Sequence, residues 1–172
     1  SVIYQSTKKK KIDIKKKKKI ITFVGKLNAA KGYDLFGKAC TKILKEFPDW
    51  KVEVVGDEAR EKINFNHPRF NLNGFQSHSY VQNLYKKSSI AVICSRWDEP
   101  FGRTSLEAAS NGCAIIISNR GGLPETTNNA LILRQLNEFQ LYKLIKQLIV
   151  HSKERKELQK NALKNFYLTD AY

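Results

Sequence analysis

The chain has 172 residues, of which 41% are hydrophobic, and it carries a formal net charge of +15. This length favours one globular domain with a full core, and no apolar run approaches the ~18–20 residues that would span a bilayer. The sequence has no Met and begins at Ser1, so we expect it to be a piece of a longer protein.

The predicted elements alternate between strands and helices along most of the chain. A Lys-rich linker is expected over residues 1–19, and the tail over residues 166–172 lies outside the domain predicted over residues 20–165. Short apolar runs predict strands over residues 20–24, 50–55, 70–73, 90–94, 114–117 and 130–133. Apolar residues at helical spacing predict helices over residues 32–47, 80–85, 104–112, 137–150 and 152–165. Ser79, Asn137 and Ser152 are expected to cap the second, fourth and fifth helices.

This alternation predicts an α/β fold of the Rossmann-like, doubly wound type. The strands are apolar on both faces, which is typical of a mostly parallel sheet covered by helices on both sides. We expect about six strands. In such sheets ligands bind beyond the carboxyl ends of the strands, so the loops that follow strands are the candidate sites.

The loop after the first strand carries two glycines and two lysines. Gly25 and Lys26 begin this loop and Lys31 and Gly32 end it. Glycines allow close approach of a ligand to the backbone, and the ammonium groups neutralise negative charge, so the loop suits a diphosphate. The loop lacks the Gly-Lys-Ser/Thr ending of a Walker loop and the G-x-G-x-x-G pattern of a dinucleotide-binding fold. Two solvated surface lysines are the alternative interpretation.

The segment from Glu99 to Glu107 follows the fourth strand and leads into the third helix. The first amides of a helix have no partners within the helix and attract anions. Here that position lies between two carboxylates eight positions apart, which can hold hydroxyl groups. The combination suits a sugar attached to a nucleoside diphosphate. Two ordinary helix acids are the alternative.

Three further features remain open from the residues alone. Gly121 and Gly122 begin a loop that lies either close to a donor sugar or in an ordinary turn. Phe75 either flanks a nucleobase or packs within its loop. No Asp-x-Asp motif is present and the three histidines do not cluster in sequence, so no metal is expected. The three cysteines are expected to be buried and reduced.

The chain resembles the C-terminal, donor-binding half of a family 4 retaining glycosyltransferase of the GT-B fold. Three segments carry this resemblance in order, at residues 23–32, 97–108 and 121–125, and residues 54–57 also fit. The resemblance covers about residues 20–165. It implies that residues 166–172 begin the helix that crosses back to an absent N-terminal half.

The resemblance also implies a role for each site residue. Glu99 would contact the sugar and be the acid most needed for catalysis, and Glu107 would bind the ribose hydroxyls. Lys26 and Lys31 would bind the diphosphate and stabilise the departing charge, although many relatives have Arg where Lys26 stands. The remaining donor-binding positions would be Gly25, Phe75, Phe101, Gly102, Arg103, Thr104 and Gly122.

The implied function is transfer of a sugar from a UDP-, GDP- or ADP-linked donor, with retention and without a metal or other cofactor. The acceptor would be a glycan or a lipid-linked glycan, bound by the absent N-terminal half, so this piece alone would transfer little or nothing. Family habit favours bacterial polysaccharide or lipopolysaccharide synthesis, in the cytoplasm or peripherally on the inner face of the cytoplasmic membrane.

Two other functions stay open at this point. One is a non-catalytic module that binds a nucleotide-sugar or a polyanion on the same fold. The other is a nucleic-acid binder, which the net charge of +15 suggests. Residues 1–19 contain nine Lys and one Asp, so about half of that charge belongs to the predicted linker, and no recognition motif is present. Nucleic acid is therefore not the expected partner.

Overall fold

A computed structural model describes residue 7 and residues 10–166. Its centre is a parallel sheet of six strands in the order β3-β2-β1-β4-β5-β6. The strands are β1 (Lys18–Val24), β2 (Lys51–Val55), β3 (Phe70–Leu72), β4 (Ser88–Ile93), β5 (Ala114–Ser118) and β6 (Ala130–Leu133). Every predicted strand is present, and the predicted Rossmann-like α/β class is confirmed.

Helices cover both faces of this sheet. They are α1 (Tyr33–Glu46), α2 (His78–Lys87), α3 (Arg103–Ser110), α4 (Glu138–Val150) and α5 (Ser152–Lys164). One apolar core lies beneath α1 and α4, and a second lies beneath α2 and α3. Both cores form because successive side chains of a strand point to opposite faces of the sheet. In β5, Ile116 enters the first core, while Ile115 and Ile117 enter the second. No helix in the described part of the chain is long and apolar enough to cross a membrane.

Two of the three predicted helix caps differ in the structure. Ser77, and not Ser79, caps α2, since its hydroxyl accepts a hydrogen bond from the Tyr80 amide at 3.2 Å. Ser152 is the first residue of α5, where it makes no cap; the capping position is His151, without a side-chain bond. Asn137 does cap α4, accepting from the Gln140 amide at 2.9 Å. In the sequence, Ser77 and Ser79 both fit the pattern of a helix cap for α2, and only the backbone conformation selects between them.

At both ends of the described chain, the observed elements differ from the predicted domain boundaries. β1 begins at Lys18, two residues inside the predicted linker, and Ile14–Lys16 form a short 3₁₀ turn. Lys18 pairs with Ser88 of β4 in the sheet register, so strand pairing outweighs the low strand preference of lysine. At the other end Phe166 is buried outside any helix. The crossover helix was predicted to begin over residues 166–172, and all of these except Phe166 lie outside the described residues.

Candidate functional site

The candidate site lies at the carboxyl ends of β1 and β4. These strands are neighbours at the centre of the sheet, and from them the chain continues outward in opposite directions. The loops that follow such a pair diverge and leave a crevice between them, which is where parallel sheets bind ligands. Here the two loops are residues 25–32, which the sequence analysis singled out, and residues 94–102, which include the start of the predicted segment from Glu99 to Glu107.

The loop after β1 folds against the end of β4. The Asn28 side chain accepts a hydrogen bond from the Lys31 amide at 3.0 Å, which tightens the turn. Gly32 follows with φ +74°, and a Cβ there would lie 2.0 Å from the carbonyl oxygen of Cys94. Only glycine fits this approach. The turn therefore brings Lys31 close to the chain that leaves β4.

An ion pair joins the loop after β4 to the first turn of α1, directly after the loop that carries Lys31. Arg96 binds the Asp34 carboxylate through both terminal nitrogens, at 2.6 and 2.8 Å. Its backbone amide donates to the Ala30 carbonyl at 2.9 Å. The bonds from Arg96 hold the pKa of Asp34 below its usual value, as expected for a two-pronged charged contact. This clamp positions the loop that carries Lys31.

The Lys31 ammonium forms an ion pair with the Glu99 carboxylate across the crevice. The Lys31 side chain is 32% exposed and that of Glu99 is 14% exposed. The pair is thus accessible from the crevice and still partly shielded from water, where electrostatic interactions are stronger than at an open surface. Two residues 68 positions apart meet here, as the sequence analysis predicted for a shared site.

The glycine pair after β5 supports the loop that contains Glu99. The Gly122 amide donates a hydrogen bond to the Glu99 carbonyl at 2.7 Å. Gly121 has φ +52°, and a Cβ there would lie 2.1 Å from that same oxygen. A Cβ on Gly122 would lie 2.7 Å from the Pro100 carbonyl oxygen. The backbones pack so closely that side chains are excluded at both positions.

A small cavity lies between Lys31, Glu99 and the start of α3. Gly102, with φ +93°, occupies the N-cap position of α3, so the first amides of the helix open beside it. The cavity has a volume of about 190 Å³. Six of the predicted site residues line it, namely Gly25, Lys31, Glu99, Gly102, Arg103 and Thr104.

Glu107 lies on α3, one turn after the helix start. Its side chain is 9% exposed and accepts a hydrogen bond from Arg103 Nε at 3.0 Å. His78 Nδ1, at the start of α2, is 3.6 Å from the same carboxylate oxygen. Most of the Glu107 carboxylate is buried, and Arg103 covers part of the rest. Only the small exposed part of the carboxylate can therefore accept a hydrogen bond from a ligand hydroxyl.

The other predicted site residues lie outside the lining of this cavity. Lys26 is exposed on the loop after β1, and Phe75 is 80% exposed after β3. Phe101 is partly buried against the second core, and Gly122 is buried behind the Glu99 loop. None of these four residues lines the cavity itself.

Sequence analysis missed the residues that fix the crevice. Asp34 and Arg96 are far apart in the chain, and nothing in their local sequence indicates a pair. Ser95 was also missed; its hydroxyl donates to the Ala30 carbonyl, at 3.2 Å. For Ser95 the one available signal was its position, since it is a polar residue just after a strand, at the edge of the sheet where ligands bind.

Within the described residues, neither the cysteines nor a cluster of metal-binding side chains forms a second candidate site. Cys40, Cys94 and Cys113 are free and buried, as predicted, and burial raises the pKa of the Cys94 thiol to about 12. Over the described ranges no group of three or more His, Cys, Asp or Glu side chains is arranged to hold a metal ion.

Known proteins resemble this chain in sequence over most of its length. The spore coat protein SA of Bacillus subtilis is 32% identical over 160 residues, which cover 83% of this chain and 42% of that protein. The uncharacterized glycosyltransferase MJ1607 of Methanocaldococcus jannaschii is 31% identical over 124 residues, covering 68% of this chain and 31% of that protein. The chain therefore spans less than half the length of these curated relatives.

Solved structures match the fold. The C-terminal domain of the glycosyl transferase group 1 family protein LpcC from Francisella tularensis is 25% identical, with a TM-score of 0.74 over 84% of this chain and 82% of that one. Anabaena Alr3699/HepE, solved in complex with UDP-glucose, is 18% identical, with a TM-score of 0.71 over 88% of this chain and 45% of that one. The family model described as "Glycosyl transferases group 1" matches residues 5–165. The chain thus has the fold of one half of a GT-B enzyme and belongs to the group 1 glycosyltransferase family.

Proposed function

We propose that this domain binds the nucleoside-diphosphate-sugar donor of a retaining glycosyltransferase, in the crevice between the loops after β1 and β4. The observation that carries the proposal is the meeting of the Lys31 ammonium with the Glu99 carboxylate beside the start of α3. A cation and helix amides suit the diphosphate, and an adjacent carboxylate suits sugar hydroxyls. UDP-linked sugars are the first donors to test, because Anabaena Alr3699/HepE was solved with UDP-glucose.

Donor binding would exchange one set of charged contacts for another. In the free domain Lys31 and Glu99 neutralise each other. A diphosphate would take over Lys31 and the amides of Arg103 and Thr104, and Glu99 would turn to the sugar hydroxyls. Lys26 would approach from the exposed rim, and Glu107 would hold the ribose through its open edge. Phe75 would stack on the base, an exposed position that suits an aromatic platform.

The cavity is smaller than a nucleotide-sugar. Ligand sites for molecules of that size usually have volumes of about 300–1,000 Å³, whereas this cavity has about 190 Å³. The crevice would therefore enclose the phosphates and part of the sugar. The remaining wall, together with the acceptor site, would come from the N-terminal half of a complete GT-B protein, so the piece alone would bind the donor and transfer little.

The proposed transfer needs no enzyme nucleophile and no metal. The acceptor oxygen would attack the anomeric carbon on the face that the diphosphate leaves, and a phosphate oxygen would take the acceptor proton. Lys26, Lys31 and the start of α3 would stabilise the negative charge on the leaving group. The complete protein would then retain activity in the presence of a chelator such as EDTA, and an activity lost with EDTA would contradict this part of the proposal.

The cellular setting follows from the family alone. We propose a cytoplasmic protein that builds bacterial polysaccharide or lipopolysaccharide on a glycan or lipid-linked acceptor, with peripheral association at the inner face of the cytoplasmic membrane.

Thermal unfolding of the 172-residue chain with added nucleotide-sugars tests donor binding. A bound donor raises the unfolding temperature as its concentration exceeds Kd. We expect a shift with at least one of the UDP-, GDP- or ADP-sugars, and a reduced shift in Glu99→Gln. A folded sample that shifts with none of them would contradict the proposal. In the complete protein, unchanged transfer by Glu99→Ala would instead favour a non-catalytic module.

A further inference from the structure

A second charged surface lies at the opposite end of the sheet from the crevice. Five lysines form this surface, which we call the basic face: Lys11, Lys15, Lys156, Lys160 and Lys164. All five are exposed. They line two adjoining hollows of about 630 and 690 Å³, which share Lys160 and the segment from Ile12 to Ile14. The proposed donor site uses none of these residues.

Strand direction separates the two surfaces. Lys17 precedes the amino end of β1 and lines one hollow, whereas Gly25 follows the carboxyl end of β1 and lines the donor crevice. The seven residues of β1 span about 20 Å at the usual rise of a strand. A partner bound at the basic face therefore leaves the crevice open.

The lysines of the basic face carry uncompensated charge. Within residues 10–166, none of the five forms an ion pair, and Asp13, the acidic residue among the lining residues, accepts a hydrogen bond from the Lys15 amide. Of the four other cations that line the hollows, Lys10 donates to the Gln82 side chain, Lys19 pairs with Asp49, and two bind main-chain carbonyls. Lys17 donates to the Tyr85 and Ser88 carbonyls, and burial lowers its pKa.

Arg155 is the second cation that binds a main-chain carbonyl. It donates to the Leu148 carbonyl at 2.6 Å, at the end of α4, and lies over the Trp50 ring. The exposed charge of the basic face thus comes from lysine alone. Among the described residues no aromatic side chain lines either hollow, but the partly buried Ile12, Ile14 and Leu163 lie among the lysines.

We infer that the basic face binds the surface of a membrane rich in anionic lipid. Lysine ammonium groups attract the phosphates of lipid headgroups without a fixed geometry, and apolar side chains between them favour an interfacial position. Single-stranded nucleic acid is usually bound with aromatic or arginine stacking as well. The described part of this surface has no aromatic side chain, and its Arg155 already lies over the Trp50 ring. The inference rests on the membrane association in the proposed function and names the surface for it. Because the donor crevice would face away from the bilayer, this orientation fits the glycan acceptor of that proposal and not the lipid-linked one.

Vesicle binding tests the inference on the 172-residue chain. We expect sedimentation with vesicles of phosphatidylcholine and phosphatidylglycerol, and none with phosphatidylcholine alone. Each lysine near an anionic surface strengthens binding about fivefold, so Lys156→Gln with Lys160→Gln should weaken it about 25-fold. A matched control, Lys62→Gln with Lys143→Gln, removes the same charge from exposed positions elsewhere. It should change affinity less than about threefold, since surface charges act over roughly 8–10 Å in salt.

Three results would overturn the inference. One is equal loss of binding in the test and control variants, which would mean that net charge alone acts. The second is equal binding to neutral vesicles or to none. The third is displacement of the protein from vesicles by duplex DNA at the same phosphate concentration, which would favour nucleic acid. The thermal shift with nucleotide-sugars, measured on the same samples, reports on the donor site separately, so failure of either proposal can be told from failure of the other.

Discussion

The close packing of Gly121 against the Glu99 loop can be tested by a substitution that leaves the charge of the site unchanged. In Gly121→Ala the new methyl would lie 2.1 Å from the Glu99 carbonyl oxygen. Ordinary contact needs about 3.4 Å, so the loop would retreat by roughly 1 Å. That movement breaks the hydrogen bond from the Gly122 amide to the same oxygen. Glu99 would then lose its alignment with Lys31.

Gly74→Ala provides the matched control for stability. Gly74 has φ +65°, close to the +52° of Gly121, but a Cβ there meets nothing within 4 Å. Left-handed backbone alone should cost about 1–2 kcal/mol in either variant. Gly121→Ala should lose a further ~0.5–1.5 kcal/mol with the hydrogen bond. We therefore expect about 1.5–3.5 kcal/mol for Gly121→Ala against about 1–2 kcal/mol for the control.

Chemical denaturation and calorimetry together measure both consequences. Urea unfolding gives the free energy of each variant, and titration with the best nucleotide-sugar gives its affinity. A displacement of about 1 Å near reacting groups costs up to about 100-fold, so we expect Gly121→Ala to bind the donor at least tenfold more weakly. If the two glycine variants unfold with the same free energy, close packing does not hold the Glu99 loop and the reasoning fails.

Three further predictions concern single contacts. Lys31→Met should weaken nucleotide-sugar binding more than Lys26→Met, because only Lys31 lines the cavity; equal losses by calorimetry would contradict this. Asp34→Asn should destabilise the fold by about 1–2 kcal/mol at pH 7. Because its pKa is lowered in the folded state, the Asp34 contribution is complete above the unfolded value of ~3.9 and is lost as pH falls through the folded value. Thermal unfolding of the two proteins should therefore converge in acid, and a difference that persists there would implicate another contact. Phe75→Ala should leave the unfolding temperature unchanged, since the ring is 80% exposed, yet weaken binding of UDP more than binding of pyrophosphate.

The strands and their loops were predictable because local signals and long-range packing agree. Each strand is a short apolar run, and a doubly covered parallel sheet requires apolar residues on both faces. Gly25 marked the end of β1, and Gly112 marked the turn before β5. Once the strand order of this fold is assumed, the loops after β1 and β4 must be neighbours, so Lys31 and Glu99 could be placed together from the sequence.

The supports of the site were not predictable in the same way. Arg96 and Asp34 are 62 positions apart, and each looks like an ordinary surface charge. For Gly121 and Gly122 the sequence left open a position near the sugar or an ordinary turn, and it did not indicate their contacts with the Glu99 loop. Such contacts depend on how two loops meet in space, to a fraction of an ångström, and residue types alone do not specify that distance.

The two acids of the site are linked to cations of the same site in the free domain. Glu99 pairs with Lys31, and Glu107 accepts from Arg103. An acid so paired avoids the cost of an uncompensated, partly buried charge before the donor arrives. The backbone contacts of Gly122 and Arg96 do not involve these side chains. If the proposed donor binds here, it would replace the ion pairs while the loops keep their positions, as a preorganised site for a charged ligand requires.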